Sequence, residues 1–387
     1  MPALDVPTPA FMDDPELTML ADQAGRFFET EAPPSRIDRW REDGQVERDF
    51  WRQAGAAGLL GASIPTEYGG AGGDFRHDVV LVETAAKHGV EGFALSLHNV
   101  IILPYILAHG TEEQKRRWLP KLCSGELVSA IAMSEPGAGS DLQSVRTTAL
   151  KDGNGYRING SKTFISNGQI ADFIVVVAKT DPTQGARGVS LLIVETEGAE
   201  GFRRGKKLDK IGQEAQDTSE LFFDDVFVPA DNLLGTDEGK GFFQLMAELP
   251  KERLIIAIQS IQTMARAIET TIAYTKERKA FGQSVFDFQN TQFKLAECKS
   301  KATVAKVFVD DCVRRVLDGT LDITTAAIAK SWVTEAEWEV VDTCLQLHGG
   351  YGYINDYPIA RMFRNARVQR IYGGSTEIMK MLIARSL

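Results

Sequence analysis

Residues 1 to 25 contain no lysine or arginine, and the whole chain of 387 residues has only five histidines and four cysteines. Secretory and transit peptides both need early positive charge, so this start predicts a cytoplasmic protein. Cys123, Cys298, Cys312 and Cys344 lie far apart and form no C-x-x-C pair, which predicts reduced structural thiols instead of disulfides or zinc ligands. His77, His88, His98, His109 and His348 show no His-x-x-x-His spacing, so no metal is expected. Ser134, Ser140 and Ser166 lack a G-x-S-x-G elbow, which leaves a hydrolase without support. Long apolar runs are also missing: Val100 to Ala108 is broken by Pro104 and falls far below the roughly 18 residues of a membrane span. A net charge of −10 and a pI near 5.2 argue against nucleic acid, which needs clustered Lys and Arg.

What is present is an ordinary globular composition, with 43% hydrophobic and 25% charged residues and enough chain for two or three domains of about 150 residues. Asp14 as N-cap, Pro15 at the first helical position and Glu16 announce a first helix, which Pro33 and Pro34 stop. Apolar residues recur at three and four from Glu47 to Leu60 and from Val79 to Leu107, and a helix from Thr111 onward is closed by Pro120 and Gly125. Past residue 129 the pattern changes to short branched and aromatic runs, "FIVVVA" at 173 to 178, "GVSLLIVE" at 188 to 195 and "LFFDDVFV" at 221 to 228. After Gly239 a long apolar stripe through Leu254, Ile258, Ile261 and Ile268 predicts helices again. The order α, β, α without βαβ alternation predicts an α+β protein of three regions: a helical domain over 1–128, a β domain over 129–238 and a helical bundle over 239–387.

Two segments of the middle region can carry chemistry. "AMSEPGAGSD", 132 to 141, is a glycine-rich turn that presents backbone N–H groups but lacks both the phosphate-loop ending and the dinucleotide G-x-G-x-x-G. In "NGSKTFISNG", 159 to 168, Phe164 and Ser166 stand two apart in an expected strand and share a face on which a flat ring can pack. Alone, each segment is equally a plain turn and a plain hairpin.

Together with "LFFDDVFVPADNLLG", "ERKAFGQ", "QLHGGYGY" and "IYGGSTEI", these segments resemble the acyl-CoA dehydrogenase family nearly end to end. The resemblance implies an N-terminal helical domain, a middle β domain and a C-terminal four-helix bundle. It also implies FAD as cofactor, an acyl-CoA substrate that loses its α and β hydrogens, electron-transfer flavoprotein as electron acceptor, and a homotetramer. By the same resemblance, Met133, Ser134, Phe164 and Ser166 approach the flavin, with Phe164 in place of the tryptophan of many relatives. Ser140 and Arg253 correspond to CoA contacts. Arg278, Phe281, Gln289, Gln346 and Gly350 correspond to residues that hold the FAD of a neighbouring subunit, and Ser375 and Glu377 to further FAD contacts.

Dehydrogenation needs a base for the α proton, and most relatives place a glutamate directly after the tyrosine of the C-terminal motif. Here that tyrosine is Tyr372 and the next residue is Gly373, which has no side chain to accept a proton. Glu252, in "ELPKERLII", matches the alternative base on a long helix of the long-chain and isovaleryl types, and "LPKERL", "IYGG", "EIMK" and "LIAR" favour the long-chain type. The backbone N–H of Gly373 matches the donor to the thioester oxygen. Read without the resemblance, Glu252 is a first-turn acid behind Pro250, where the helix start would lower its pKa, and Glu248 is the nearest competitor. A flavin oxidase or monooxygenase on the same fold, or a helical scaffold without cofactor, are the alternative functions; oxygen reactivity and a yellow colour separate them. Acyl chain length and branching depend on how the helices near residues 80 to 105 pack.

Overall fold

The computed structural model describes residues 4–387, so the first three residues of the expected N-terminal domain lie outside the described residues. The first helix, α1 (Pro15–Glu31), begins where Asp14 accepts a hydrogen bond from the Glu16 N–H. It is followed by α2 (Pro34–Asp43), α3 (Arg48–Ala56), α4 (Phe75–Lys87), α5 (Leu103–His109) and α6 (Glu112–Cys123). The helical periodicity expected from Val79 to Leu107 is therefore not one helix. Gly89 and Gly92 take φ of +69° and +81°, values no right-handed helix can contain, and the chain re-enters through a wide turn at Leu97–Ile102 that runs into α5. A Cβ on Gly92 would stand 2.3 Å from the Ala215 carbonyl oxygen, so the break also lets the middle region approach. The periodic stretch from Glu47 to Leu60 likewise ends as a helix at Ala56, and α6 runs through Pro120 instead of stopping there.

Seven strands form one sheet: β1 (Ser129–Ala132), β2 (Thr148–Asp152), β3 (Gly155–Ser166), β4 (Phe173–Lys179), β5 (Val189–Glu195), β6 (Phe202–Lys207) and β7 (Thr218–Pro229), in the order β1-β4-β2-β3-β7-β6 with β5 on β4. The fold is α+β, as expected. Strands β4 and β5 are almost wholly buried because helices cover one face while the far side of the sheet packs on itself around Ile158, Leu221 and Val226. Strand β3 carries a bulge: Lys162 pairs with Leu221 and Ile165 with Ser219, so one extra residue is accommodated, and Phe164 takes φ +61°.

Three long helices then pack together, α7 (Gly241–Glu277), α8 (Gln289–Leu317) and α9 (Ile323–Leu347), with the hairpin β8 (Lys279–Ala280) and β9 (Gln283–Ser284) between the first two. The short helices α10 (Pro358–Ala366) and α11 (Thr376–Ala384) complete the bundle against α9. Leu254, Ile258, Ile261 and Val333 of this bundle share one core with Phe28, Trp40, Phe50 and Trp51, so the first and last regions are welded by apolar burial. Polar clamps join the middle region: Arg48 grips Asp172 and the Ile170 carbonyl, and Gln114 donates to the carbonyls of Asp231 and Leu233. All four cysteines are free and buried, and among the described residues there is no group of three metal-ligating side chains and no helix long and apolar enough to cross a membrane.

Candidate active site

Helix α7 starts at Gly241, so Glu252 lies well inside it and not in a first turn behind Pro250. The pKa-lowering field of a helix start is thus absent at Glu252. Its carboxyl is buried, 4% exposed, and burial pushes its pKa up to about 7. The phenol of Tyr105, itself fully buried on α5, donates to Glu252 Oε1 across 2.6 Å and opposes that rise. One turn earlier, Glu248 is also buried, but Lys251 at 2.7 Å and His109 at 3.5 Å surround it. Burial raises Glu248 and these partners outweigh it, holding its carboxyl below the ordinary range. Two neighbouring glutamates on one helix face are therefore split, one kept ionised and one poised near neutrality, which is how acid–base sites are tuned.

Glu252 and Ile256 are one turn apart on α7, and Ile256 meets the C-terminal glycines. Gly373 takes φ +63°, and a Cβ there would stand 2.5 Å from Ile256 Cδ1. A glutamate here would be strained by the left-handed backbone and would have to push the Ile256 side chain aside. The Gly373 N–H donates to no acceptor among the described residues, and its carbonyl faces Arg253 Nε at 3.5 Å. Arg253 is buried beside it and not spread on the surface. Glu377 sits exposed in the first turn of α11, where its own backbone N–H and Ser375 hold its pKa below the ordinary value. It is the wrong kind of carboxylate for a base.

Two of the middle-region segments are hydrogen-bonded to each other. The Thr163 N–H donates to the Ser134 carbonyl at 2.9 Å, tying the strand of Phe164 and Ser166 to the turn that begins at Met133 and Ser134. Lys162 is buried beneath, donating to the Met133 carbonyl at 3.0 Å and to Glu135 at 2.8 Å, while Glu135 accepts the N–H groups of Arg146 and Thr147. The bulge turns Phe164 outward, and its ring stands 69% exposed although it is apolar. Such an aromatic face beside two hydroxyls fits a flavin ring, so these residues fit the cofactor. Ser140 is exposed at the far end of the same turn.

Arg278 and Gly350 come together in a second place, a crevice of about 530 Å³ lined also by Tyr274, His348 and Tyr351. Gln346 is exposed near the end of α9, two residues before His348. Phe281, at the tip of the β8–β9 hairpin with φ +53°, is 96% exposed and meets Phe288, the residue before Gln289, edge-on at 6.2 Å. Nothing in a single chain covers it. Sequence reasoning missed Tyr105, a polar-tipped aromatic in the apolar run "IILPYIL", and Lys330 and Glu337 inside α9; none carries a local signal, because burial and partners come from other helices.

The structure thus offers a buried carboxylate poised near neutrality on the helix that meets a turn with a free N–H, and, in the middle region, an outward aromatic face that suits a flat cofactor. The three regions match the N-terminal, middle and C-terminal domains of acyl-CoA dehydrogenases over residues 14–126, 130–226 and 239–387. The mitochondrial long-chain specific acyl-CoA dehydrogenase of Sus scrofa is 46% identical over 374 residues, 96% of this chain and 86% of that protein, and the mitochondrial isovaleryl-CoA dehydrogenase of Pongo abelii is 37% identical over 376 residues, 96% and 88%. The crystal structure of an acyl-CoA dehydrogenase from Geobacillus kaustophilus is 46% identical and superposes with a TM-score of 0.94 over 96% of this chain and 98% of that one. The chain belongs to the acyl-CoA dehydrogenase family and is an FAD-dependent oxidoreductase acting on acyl-CoA.

Proposed function

We propose that the chain dehydrogenates a long-chain acyl-CoA to the trans-2-enoyl-CoA, with Glu252 as the base. The observation that carries this reading is the pairing of a glycine at 373 with a buried, neutrally poised glutamate at 252. The higher identity to the long-chain enzyme than to the isovaleryl enzyme, 46% against 37%, supports the substrate class. FAD, when bound, supplies the acceptor for the β hydrogen as hydride. Met133, Ser134, Phe164 and Ser166 hold its ring, and Ser375 and Glu377 are further contacts of it. Ser140 and Arg253 face the CoA.

The chain's own steps follow. Glu252 Oε takes the α proton in a buried site where the Tyr105 hydroxyl is its hydrogen-bond partner. Tyr105 keeps the carboxylate in one orientation and stabilises its charged form before the transfer. The Gly373 N–H donates to the thioester oxygen as negative charge gathers there, a contact that strengthens in the transition state. Arg278, Phe281, Gln289, Gln346 and Gly350 complete the cofactor site of a neighbouring subunit in a homotetramer, which gives the fully exposed Phe281 a partner. Electrons leave to an electron-transfer flavoprotein.

The test is anaerobic mixing of the yellow holoenzyme with a saturated long-chain acyl-CoA by stopped flow, beside a short branched acyl-CoA. Rapid bleaching by the first and slow bleaching by the second is expected. Faster bleaching by the branched substrate would move the substrate class, and fast reoxidation of the reduced protein by oxygen would make it an oxidase.

A further inference from the structure

Lys330, in the middle of α9, is fully buried, yet among the described residues no carboxylate oxygen lies within 4.0 Å of its ammonium. Its hydrogen bond goes to the carbonyl of Gly374, at 2.6 Å. A buried cation without a carboxylate is costly, and a core helix position is ordinarily filled by leucine or methionine. The charged groups that face it are Arg253 from α7, Glu335 on α9 itself, Glu377 from α11 and Arg370 from the turn before Tyr372. Arg370 is already bound to Glu335 at 2.8 Å, and Glu377 is exposed. Burial first, then Arg253, push the Lys330 pKa down to about 8.

The carbonyl that Lys330 holds belongs to an unusual turn. Gly373 and Gly374 both take positive φ, +63° and +99°, and a Cβ on Gly374 would stand 2.6 Å from Met379 Cε. Arg253 faces the carbonyl of the first glycine and Lys330 that of the second, so cations from two helices grip successive carbonyls. Peptide units are planar, and the orientation of each carbonyl constrains its neighbours through only two soft angles per residue. Glycine leaves those angles freer than any other residue does. The Gly373 N–H belongs to the adjoining peptide unit, one φ/ψ pair away, so holding the two oxygens narrows the directions in which it can point.

We propose that Lys330 is a positioning residue whose ammonium, together with Arg253, locks the 373–374 turn so that the Gly373 N–H is aimed at the thioester oxygen of the substrate. This rests on the role given above to Gly373. A merely structural lysine would tie α11 to α9 and affect stability alone. A positioning lysine also sets how strongly the thioester carbonyl is polarised.

The experiment loads the holoenzyme with an acyl-CoA analogue whose β-methylene is replaced by sulfur, so that no β hydrogen can leave, and which is isotopically labelled at the thioester carbonyl. The difference infrared spectrum reads the carbonyl stretch in the native protein, Lys330→Met and Lys330→Arg. The native stretch is expected below its value in water, Lys330→Met is expected to return most of the way toward that value, and Lys330→Arg to stay nearer the native one. A Lys330→Met band at the native frequency overturns the proposal. A native band already at the water value removes the Gly373 role and this proposal with it, a result distinguishable from the first. Where Lys330→Met does not take up FAD, the native band is followed as pH rises through about 8. Drift toward the water value supports the lysine's role, and a constant band overturns it.

Discussion

The Tyr105 hydroxyl and the Glu252 carboxylate meet across 2.6 Å between α5 and α7, two helices brought together by folding although the two residues are 147 positions apart in sequence. Both groups are buried, so each depends on the other: the phenol has an acceptor, and the carboxylate has a donor where water does not reach. The bond also limits how far burial can raise the Glu252 pKa.

Replacing Tyr105 by phenylalanine keeps the ring and removes that donor. A hydrogen bond to a charged group contributes about 1.5–3 kcal/mol, so the Glu252 pKa is expected to rise by roughly 1–2 units. Catalysis needs the ionised form; the acid limb of the kcat/KM profile, near pH 7 in the native protein, therefore moves to higher pH. A limb that stays in place would show that Tyr105 does not tune the base.

Glu252→Gln removes the proposed base while keeping its shape. Flavin bleaching by substrate is expected to slow by roughly 10²–10⁴-fold, with ligand affinity little changed. Bleaching at the native rate would return the role to Glu248 or another group.

Restoring a glutamate at the family's usual position does not rescue that variant. Gly373→Glu in the Glu252→Gln background places a side chain on a left-handed backbone, at a cost of about 1–2 kcal/mol, and drives its Cβ into Ile256. Lower Tm and no recovery of bleaching are expected. Recovery to the native rate would mean that the turn re-forms easily and that its geometry does not decide where the base sits.

Glu337 is buried on α9, accepts from Ser260 at 2.7 Å, and has one oxygen without a partner. Burial raises its pKa to about 8, against about 4.3 in an unfolded chain. Between these values the folded state holds a proton that the unfolded state has lost, so stability contributed here falls as pH rises from about 4.3 to about 8. Glu337→Gln abolishes that dependence. Its stability, read as Tm, is expected to gain on the native protein progressively across this window, by at most about 5 kcal/mol at about 1.4 kcal/mol per unit. A constant Tm difference across the window would show that Glu337 is not held protonated.

Lys162 and Glu135 form a buried pair beneath the Met133–Ser134 turn. Lys162→Met leaves Glu135 buried without its cation, and removing one partner of such a pair costs about 3–5 kcal/mol. A fall in Tm together with weaker FAD retention is expected; native FAD retention would mean that the pair supports the sheet and not the cofactor turn.

Much of this protein was legible before folding. Caps, glycine turns and the change of apolar period marked the helical, β and helical regions, because those signals act through neighbours in sequence. The motif order gave the family, and the glycine at 373 with the glutamate at 252 gave the candidate base. The break between α4 and α5 was not legible, since apolar residues keep a helical period whether or not Gly89 and Gly92 interrupt the chain. The bulge at Phe164 was also hidden, because a bulge is decided by pairing with β7.

Residue identity alone determined that position 373 cannot supply a base, that the cysteines have no pairing motif and that a carboxylate stands at 252. Only the tertiary structure decided that this carboxylate is buried and its pKa raised. Its pKa depends on desolvation by α5 and α7 and on one phenol from Tyr105, and neither solvent exclusion nor a contact over 147 positions is written in local sequence.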